Sequence, residues 1–242
     1  MSKYKILVVI PIIRDIPASS SKKNFYKKNA SIDFEVDITT IKFGPASIEC
    51  FYDEVWASPF VVEEIKKAEL KGYCGVLIDC FMNPGLKAAR EVVDIPVIGV
   101  GEAAIITALM LGDSFTIIDV GPDKYVKKTP PMMIREMGVA SRFASIRGIG
   151  VPVLELSECR DLVDSIVAEA IKAVNEDGAD VIVLGCTGLA GIAREVEDKI
   201  NIPVVDPALS ALKILEALVR MGVKHSRKTY INPPNKERKL PT

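Results

Sequence analysis

Only one histidine, His225, lies among the 242 residues, and it stands near the C-terminal end. That scarcity argues against a Ser-His-Asp triad, because such a site needs an imidazole beside its nucleophile. Cysteine is sparse too: five residues, no Cys-x-x-Cys pair, and Cys74 and Cys80 separated by five residues of one apolar run. A structural zinc site is poorly supported, and an odd count without framework spacing suits a reducing compartment better than a disulfide scaffold. An excess of one charge is also missing. With a formal net charge of −1 there is no overall field to hold nucleic acid or an anionic membrane. The first apolar run, Ile6-Leu7-Val8-Val9-Ile10 before Pro11, is too short for a signal-peptide core or a membrane span. Cytoplasmic residence is the expectation.

What is present is an ordinary globular composition, 49% hydrophobic and 26% charged, enough for two modest lobes or one large α/β domain. Within it one pattern is written twice. Gly72 leads through an apolar run to Cys80, and Gly178 leads through another to Cys186, eight positions in each case. Small-residue turns follow, then Ala89-Arg90-Glu91 and Ala193-Arg194-Glu195, then Ile95-Pro96-Val97 and Ile202-Pro203-Val204. Each copy reads as strand, turn, helix, strand. Copies packed about a pseudo-twofold axis would set Cys80 and Cys186 on opposite sides of one cleft, where one thiolate could remove a proton from a carbon and the other thiol return one. Each cysteine is expected at the start of a helix, where backbone N–H groups favour a thiolate over the ordinary thiol of pKa about 8.5. Cys50, Cys74 and Cys159 have no matched partner and read as small buried hydrophobes. Asp79 could be a base, but its counterpart is Gly185, so a turn or packing role stays equally open.

Taken in order, residues 5–10 read as a buried strand, and Pro11 and Ile12 open the loop at its C-terminal end, where parallel sheets bind ligands. Ser19, Ser20 and Ser21 can cap a helix through Asn29. Its lysines, Lys22, Lys23, Lys27 and Lys28, could hold an anion but read first as a solvated face. A strand over 34–39 and a turn over 43–49 follow, then helices over 59–72 and 97–111 flanking the first cysteine unit. The strand 114–119 ends at Asp119 and Val120 in a loop expected to open on the same cleft. A helix over 130–137 stopped by Gly138, a strand over 145–150, a loop over 151–158 and a helix over 161–177 lead to the second unit, and a last helix covers 208–221. Gly99-x-Gly101-x-x-Ala104 with Asp119 imitates a dinucleotide fingerprint. The equivalent helix after Val204-Val205-Asp206 begins without those glycines, so they are assigned to a local turn. Residues 226–242, rich in Lys, Arg and Pro, are expected to form a disordered basic tail.

The motifs Gly44-Pro45-Ala46-Ser47-Ile48-Glu49, Asp79-Cys80-Phe81-Met82-Asn83-Pro84-Gly85-Leu86 and Gly185-Cys186-Thr187-Gly188-Leu189-Ala190-Gly191 resemble those of the aspartate/glutamate/hydantoin racemases, and of the hydantoin and allantoin branch above all. The resemblance covers residues 4–222. It implies an α/β fold of two Rossmann-like lobes with parallel sheets related by pseudo-twofold symmetry and an active site in the cleft between them. The lobes would be 1–98 plus 206–225, and 99–205. It implies cofactor-independent racemisation by Cys80 and Cys186 in a homo-oligomer, with backbone groups of Phe81, Thr187 and Gly188 holding a small substrate: a hydantoin, allantoin or an amino-acid derivative. Phe81-Met82 and Gly188 stand where amino-acid racemases of the superfamily carry Asn-Thr and His, which favours a neutral ring over an acidic amino acid. An aspartate/glutamate-type racemase, a related one-cysteine decarboxylase or isomerase, and a non-catalytic two-lobed binding protein are the competing readings.

Overall fold

The computed structural model describes residues 4–13, 17–121, 126 and 129–239. Residues 14–16 of the first loop, Pro122 and Asp123 after the fifth strand, and the end of the tail from 240 lie outside the described residues. The first helix already begins at Pro17, so Ser19, Ser20 and Ser21 lie inside it, past the capping position.

The chain forms β1 (Tyr4–Ile10), α1 (Pro17–Asn29), β2 (Phe34–Thr40), α2 (Phe51–Leu70), β3 (Gly75–Ile78), α3 (Leu86–Val92), β4 (Val97–Gly99) and α4 (Val100–Leu111). It continues with β5 (Phe115–Asp119), α5 (Thr129–Glu136), β6 (Phe143–Gly148), α6 (Leu162–Asp177), β7 (Val181–Leu184), α7 (Ala193–Ile200), β8 (Val204–Val205) and α8 (Pro207–Met221). Two four-stranded sheets result, in the orders β2-β1-β3-β4 and β6-β5-β7-β8. Every pairing is parallel, with Ile6 opposite Gly75 in one sheet and Phe115 opposite Val181 in the other. The same order in both sheets is the structural form of the repeated sequence unit.

Central strands of parallel sheets are covered on both faces, which explains the unbroken apolar runs. In β1 the pleat sends Ile6 and Val8 to one face, against Tyr26 of α1 and Ala208, Leu212 and Leu215 of α8. Leu7 and Val9 go to the other, against Ala57, Val61 and Ile65 of α2 and Ala89 of α3. The second sheet repeats the scheme, with Ile182 and Leu184 facing α6 and α7, and Val181 and Val183 facing α4 and α5. Helix α4 belongs to both halves: Val100 and Ala103 join the first sheet's core, Ala104, Ile105 and Ala108 the second's. The last helix returns to the first sheet, so the two halves are tied together at both chain crossings.

Three differences from expectation have a clear physical cause. Helix α2 starts at Phe51, with Pro59 inside it. Pro59 and Val55 are both on the exposed side, so the carbonyl that proline leaves without a donor can turn to water. Behind Cys186 stands a three-residue 3₁₀ turn, Thr187–Leu189, and α7 begins only at Ala193. The tail is not loose at its start. Arg227 donates to the carbonyls of Arg90 and Glu91 and to that of Val93 and pairs with Asp94, and His225 Nε2 accepts the Val97 N–H at 2.8 Å. Tyr230 OH accepts from Arg90 at 3.1 Å. The unpaired main-chain groups around α3 and β4 supply an anchorage that composition does not reveal. Residues 232–239 have no regular structure.

Candidate active site

Parallel strands end on the same edge, so the loops after β1, β3, β5 and β7 converge there. They enclose a cavity of about 470 Å³. All nine residues singled out from the sequence line it: Cys80 and Cys186, Pro11 and Ile12 after β1, Phe81 after Cys80, Asp119 and Val120 at the end of β5, and Thr187 and Gly188 after Cys186. Leu156 and Val153, from the segment read as a loop, form part of its wall within a 3₁₀ turn, Val153–Glu158.

The two thiols are held alike. Cys186 Sγ accepts the Gly188 N–H at 3.3 Å, and Cys80 is bonded by the N–H of Met82, again two residues on. A Cβ at Gly188 would stand 2.7 Å from Leu156 Cδ1 and 3.3 Å from the Cys186 sulfur, so a larger residue there would have to push the Leu156 side chain aside. The expectation of easily ionised thiols needs correction. Burial raises both well above the ordinary value, Cys186 to about 12, and the Asp119 carboxylate adds to the rise at Cys186. The physical reason is local: neither sulfur stands at the start of an α-helix, a three-residue turn has almost no dipole, and the thiols open only onto the cavity. In the free protein both are therefore thiols over the neutral range. Asp119 is itself pushed up to about 7 by burial, against one N–H from Val120 at 2.7 Å that favours its anion.

Charge in the lining is arranged asymmetrically. Asp79, only 2% exposed, accepts from Lys22 Nζ at 2.5 Å and from Tyr26 OH at 3.0 Å. The same Lys22 donates to Thr187 Oγ1 at 2.9 Å. In the second half Gly185 replaces aspartate, and the space above it is filled by Asp119, whose Cγ would lie 3.0 Å from a Cβ at Gly185. Lys22 was missed because a lysine-rich helix looks uniformly solvated. Its spacing of four from Tyr26, on one helix face, was the available signal. Ser47 and Glu49, paired at 2.7 Å, also line the cavity, although their motif reads in the sequence only as a turn.

The glycines that imitate a dinucleotide fingerprint serve packing. A Cβ at Gly101 would stand 2.0 Å from the Phe81 carbonyl oxygen, and one at Gly99 would stand 2.4 Å from Asn83 Oδ1. Asn83 Oδ1 instead accepts the Gly101 N–H at 2.9 Å, capping α4 from the Cys80 loop. The second half reverses the direction: Asp206 caps α8 and also accepts the Gly191 N–H of the Cys186 loop at 2.6 Å. Among the described residues no grouping of His, Cys, Asp and Glu could hold a metal ion, and no helix is long and apolar enough to cross a membrane.

Comparison with known proteins agrees along most of the chain. Residues 26–215 match the family model described as Asp/Glu/Hydantoin racemase. A hydantoin racemase from Pseudomonas sp. (strain NS671) is 37% identical over 213 residues, covering 87% of this chain and 85% of the relative. The structure of an allantoin racemase from Klebsiella pneumoniae superposes with a TM-score of 0.91 at 29% identity, over 98% of this chain and 97% of the other. That of an allantoin racemase from Pseudomonas fluorescens does so with a TM-score of 0.88 at 30% identity, over 98% and 100%.

Proposed function

The chain belongs to the Asp/Glu/hydantoin racemase family, and on that premise we propose that it racemises 5-substituted hydantoins or allantoin, with Cys80 and Cys186 as the acid–base pair and no cofactor. The observation that carries this reading is the shared cavity: two sulfurs from duplicated loops open on one space large enough for a small ring. One thiolate takes the proton from the ring carbon, the carbanion spreads into the neighbouring carbonyl, and the opposite thiol delivers its proton to the other face. Backbone groups of Phe81, Thr187 and Gly188 would receive the charge that grows on that carbonyl. Both sulfurs are protonated in the free protein, so the reacting form is the one in which a thiol has first given its proton to solvent.

The lining supports a neutral ring over an acidic amino acid. Among the described lining residues Glu49, Asp79 and Asp119 are carboxyl groups, while Lys22 is already engaged by Asp79 and Thr187. A dicarboxylate would meet like charge there, whereas Ile10, Ile12, Ile48 and Leu156 offer an apolar wall to a ring substituent. We further take 1–98 with 206–225, and 99–205, as the lobes, the protein as cytoplasmic, and the assembly as a homo-oligomer, which the exposed Tyr52 and Trp56 on α2 support.

Polarimetry with enantiopure hydantoins, allantoin, aspartate and glutamate tests the substrate, and deuterium uptake from heavy water at the ring carbon tests the chemistry. Activity on hydantoins or allantoin, lost in both Cys80→Ser and Cys186→Ser, is expected; full racemisation by either variant refutes the pair.

A further inference from the structure

Lys22 stands on α1, outside both cysteine loops, and touches each of them. Its ammonium lies 2.5 Å from Asp79 Oδ2 and donates to Thr187 Oγ1 at 2.9 Å. Asp79 immediately precedes Cys80, and Thr187 immediately follows Cys186. The Thr187 hydroxyl in turn donates to the main-chain carbonyl of Asp79 at 3.4 Å, and Tyr26, one turn further along α1, donates to Asp79 Oδ1 at 3.0 Å. The side chain of Asp79 is wholly buried and that of Lys22 only 14% exposed. Long side chains on lysine-rich helices usually stay in water. This one is drawn inward to a place where both halves of the duplicated unit can be held by a single atom.

The ion pair has a direction. Its negative end adjoins Cys80 and its positive end lies toward the Cys186 loop. The charged groups that face Cys186 are Asp119 from β5, Asp79 just after β3 and Lys22 from α1, and of these Lys22 is the cation. At Cys80 the neighbouring groups are Asp79, Glu54 of α2 and Cys186 itself, all of which oppose a thiolate. Resting on the cysteine-pair reading above, we propose that Lys22 is a positioning residue that keeps the two cysteine loops in register and biases the anion of the pair onto Cys186, leaving Cys80 as the acid. The step then balances as follows. The C–H bond on the Cys186 side breaks as an S–H bond forms at Cys186, and the Cys80 S–H bond breaks as a new C–H bond forms on the opposite face. The charge has moved from one sulfur to the other, and reaction of the opposite enantiomer returns it.

Enantiomers have equal free energy, so kcat/KM is equal in the two directions whatever the bias, and the test must read the thiols themselves. The probe is a neutral dipyridyl disulfide, applied to the full-length protein over a pH series, with the modified cysteine identified by peptide mass spectrometry. In the wild type Cys186 is expected to react ahead of Cys80. Loss of the Lys22 charge should raise the Cys186 pKa and lower its thiolate fraction. A more basic sulfur is also a stronger nucleophile, which offsets about half of that loss on a logarithmic scale, so Lys22→Met should slow Cys186 about threefold, leave Cys80 nearly unchanged and lower racemisation. Lys22→Arg should restore most of the order, and Lys23→Met, on the exposed side of α1, should change neither. Because Lys22→Met strands a buried carboxylate, the double variant Lys22→Met/Asp79→Asn removes both charges; it should fold and still lose the preference for Cys186. An unchanged Cys186-to-Cys80 ratio in both variants overturns the proposal. If instead Cys80→Ser or Cys186→Ser keeps full activity, the cysteine-pair reading falls and takes this proposal with it.

Discussion

Replacing Asp119 by asparagine isolates the cost of placing a carboxyl group beside the Cys186 sulfur. In the folded protein burial lifts this group from an ordinary value of 3.8 to about 7. The folded state therefore binds its proton more tightly than the unfolded chain does, and the stabilisation is complete below about pH 4 and lost as pH rises toward about 7. A rise from 3.8 to about 7 is worth about 4 kcal/mol. That is an upper figure, because the carboxyl opens partly on the cavity, where water screens it. Asparagine keeps an oxygen for the Val120 N–H and has nothing to titrate. Urea unfolding near pH 4 and near pH 8 should show the wild type losing about 2–4 kcal/mol more than Asp119→Asn between the two conditions. Glu54, raised to about 6 by burial with Glu136 adding to it, and Asp206, raised by burial, titrate in the same sense, but they do so in both proteins and cancel in the difference. The variant should also make Cys186 more reactive at alkaline pH, since a like charge has gone. Parallel loss of stability in the two proteins would show that Asp119 is solvated like a surface carboxylate, and the electrostatic account of the Cys186 site would be wrong.

Other substitutions reach separate parts of the argument. Gly101→Ala should destabilise by about 3 kcal/mol or more, since its Cβ would meet the Phe81 carbonyl and backbone cannot yield as a side chain can; normal thermal stability would remove the packing explanation of the glycine pair. Arg227→Ala should cost about 1–3 kcal/mol by breaking the bonds to the carbonyls around α3, read as a lower urea midpoint. No change would mean that the start of the tail adds nothing to stability. Thr187→Val keeps the shape beside Cys186 but gives Lys22 no oxygen, so racemisation should fall by about tenfold, while unfolding stability changes much less than for Gly101→Ala.

Duplication was readable in the chain itself. Equal glycine-to-cysteine spacings and the paired Ile-Pro-Val segments already set out two strand–turn–helix–strand units, because a strand buried on both faces has to be apolar throughout and its turn has to be small. Gly138, at φ 74°, ends its helix region as its position suggested. Less local features were hidden. The start of α2 depends on Val55 and Pro59 facing water, which only the packing of Ala57 and Val61 against the first sheet decides. The anchoring of residues after Gly222 depends on carbonyl groups of α3, more than a hundred positions earlier in the chain.

Period and spacing are properties of a string, and they suffice to mark the two sulfur-bearing loops and the family of folds that could bring them together. Tertiary structure alone decided the charges on those sulfurs. Thiol ionisation depends on who stands within a few ångströms, and here those neighbours, Lys22, Asp79 and Asp119, arrive from three different elements. Desolvation of the two sulfurs then outweighs the short-range N–H bonds that a local reading would have trusted.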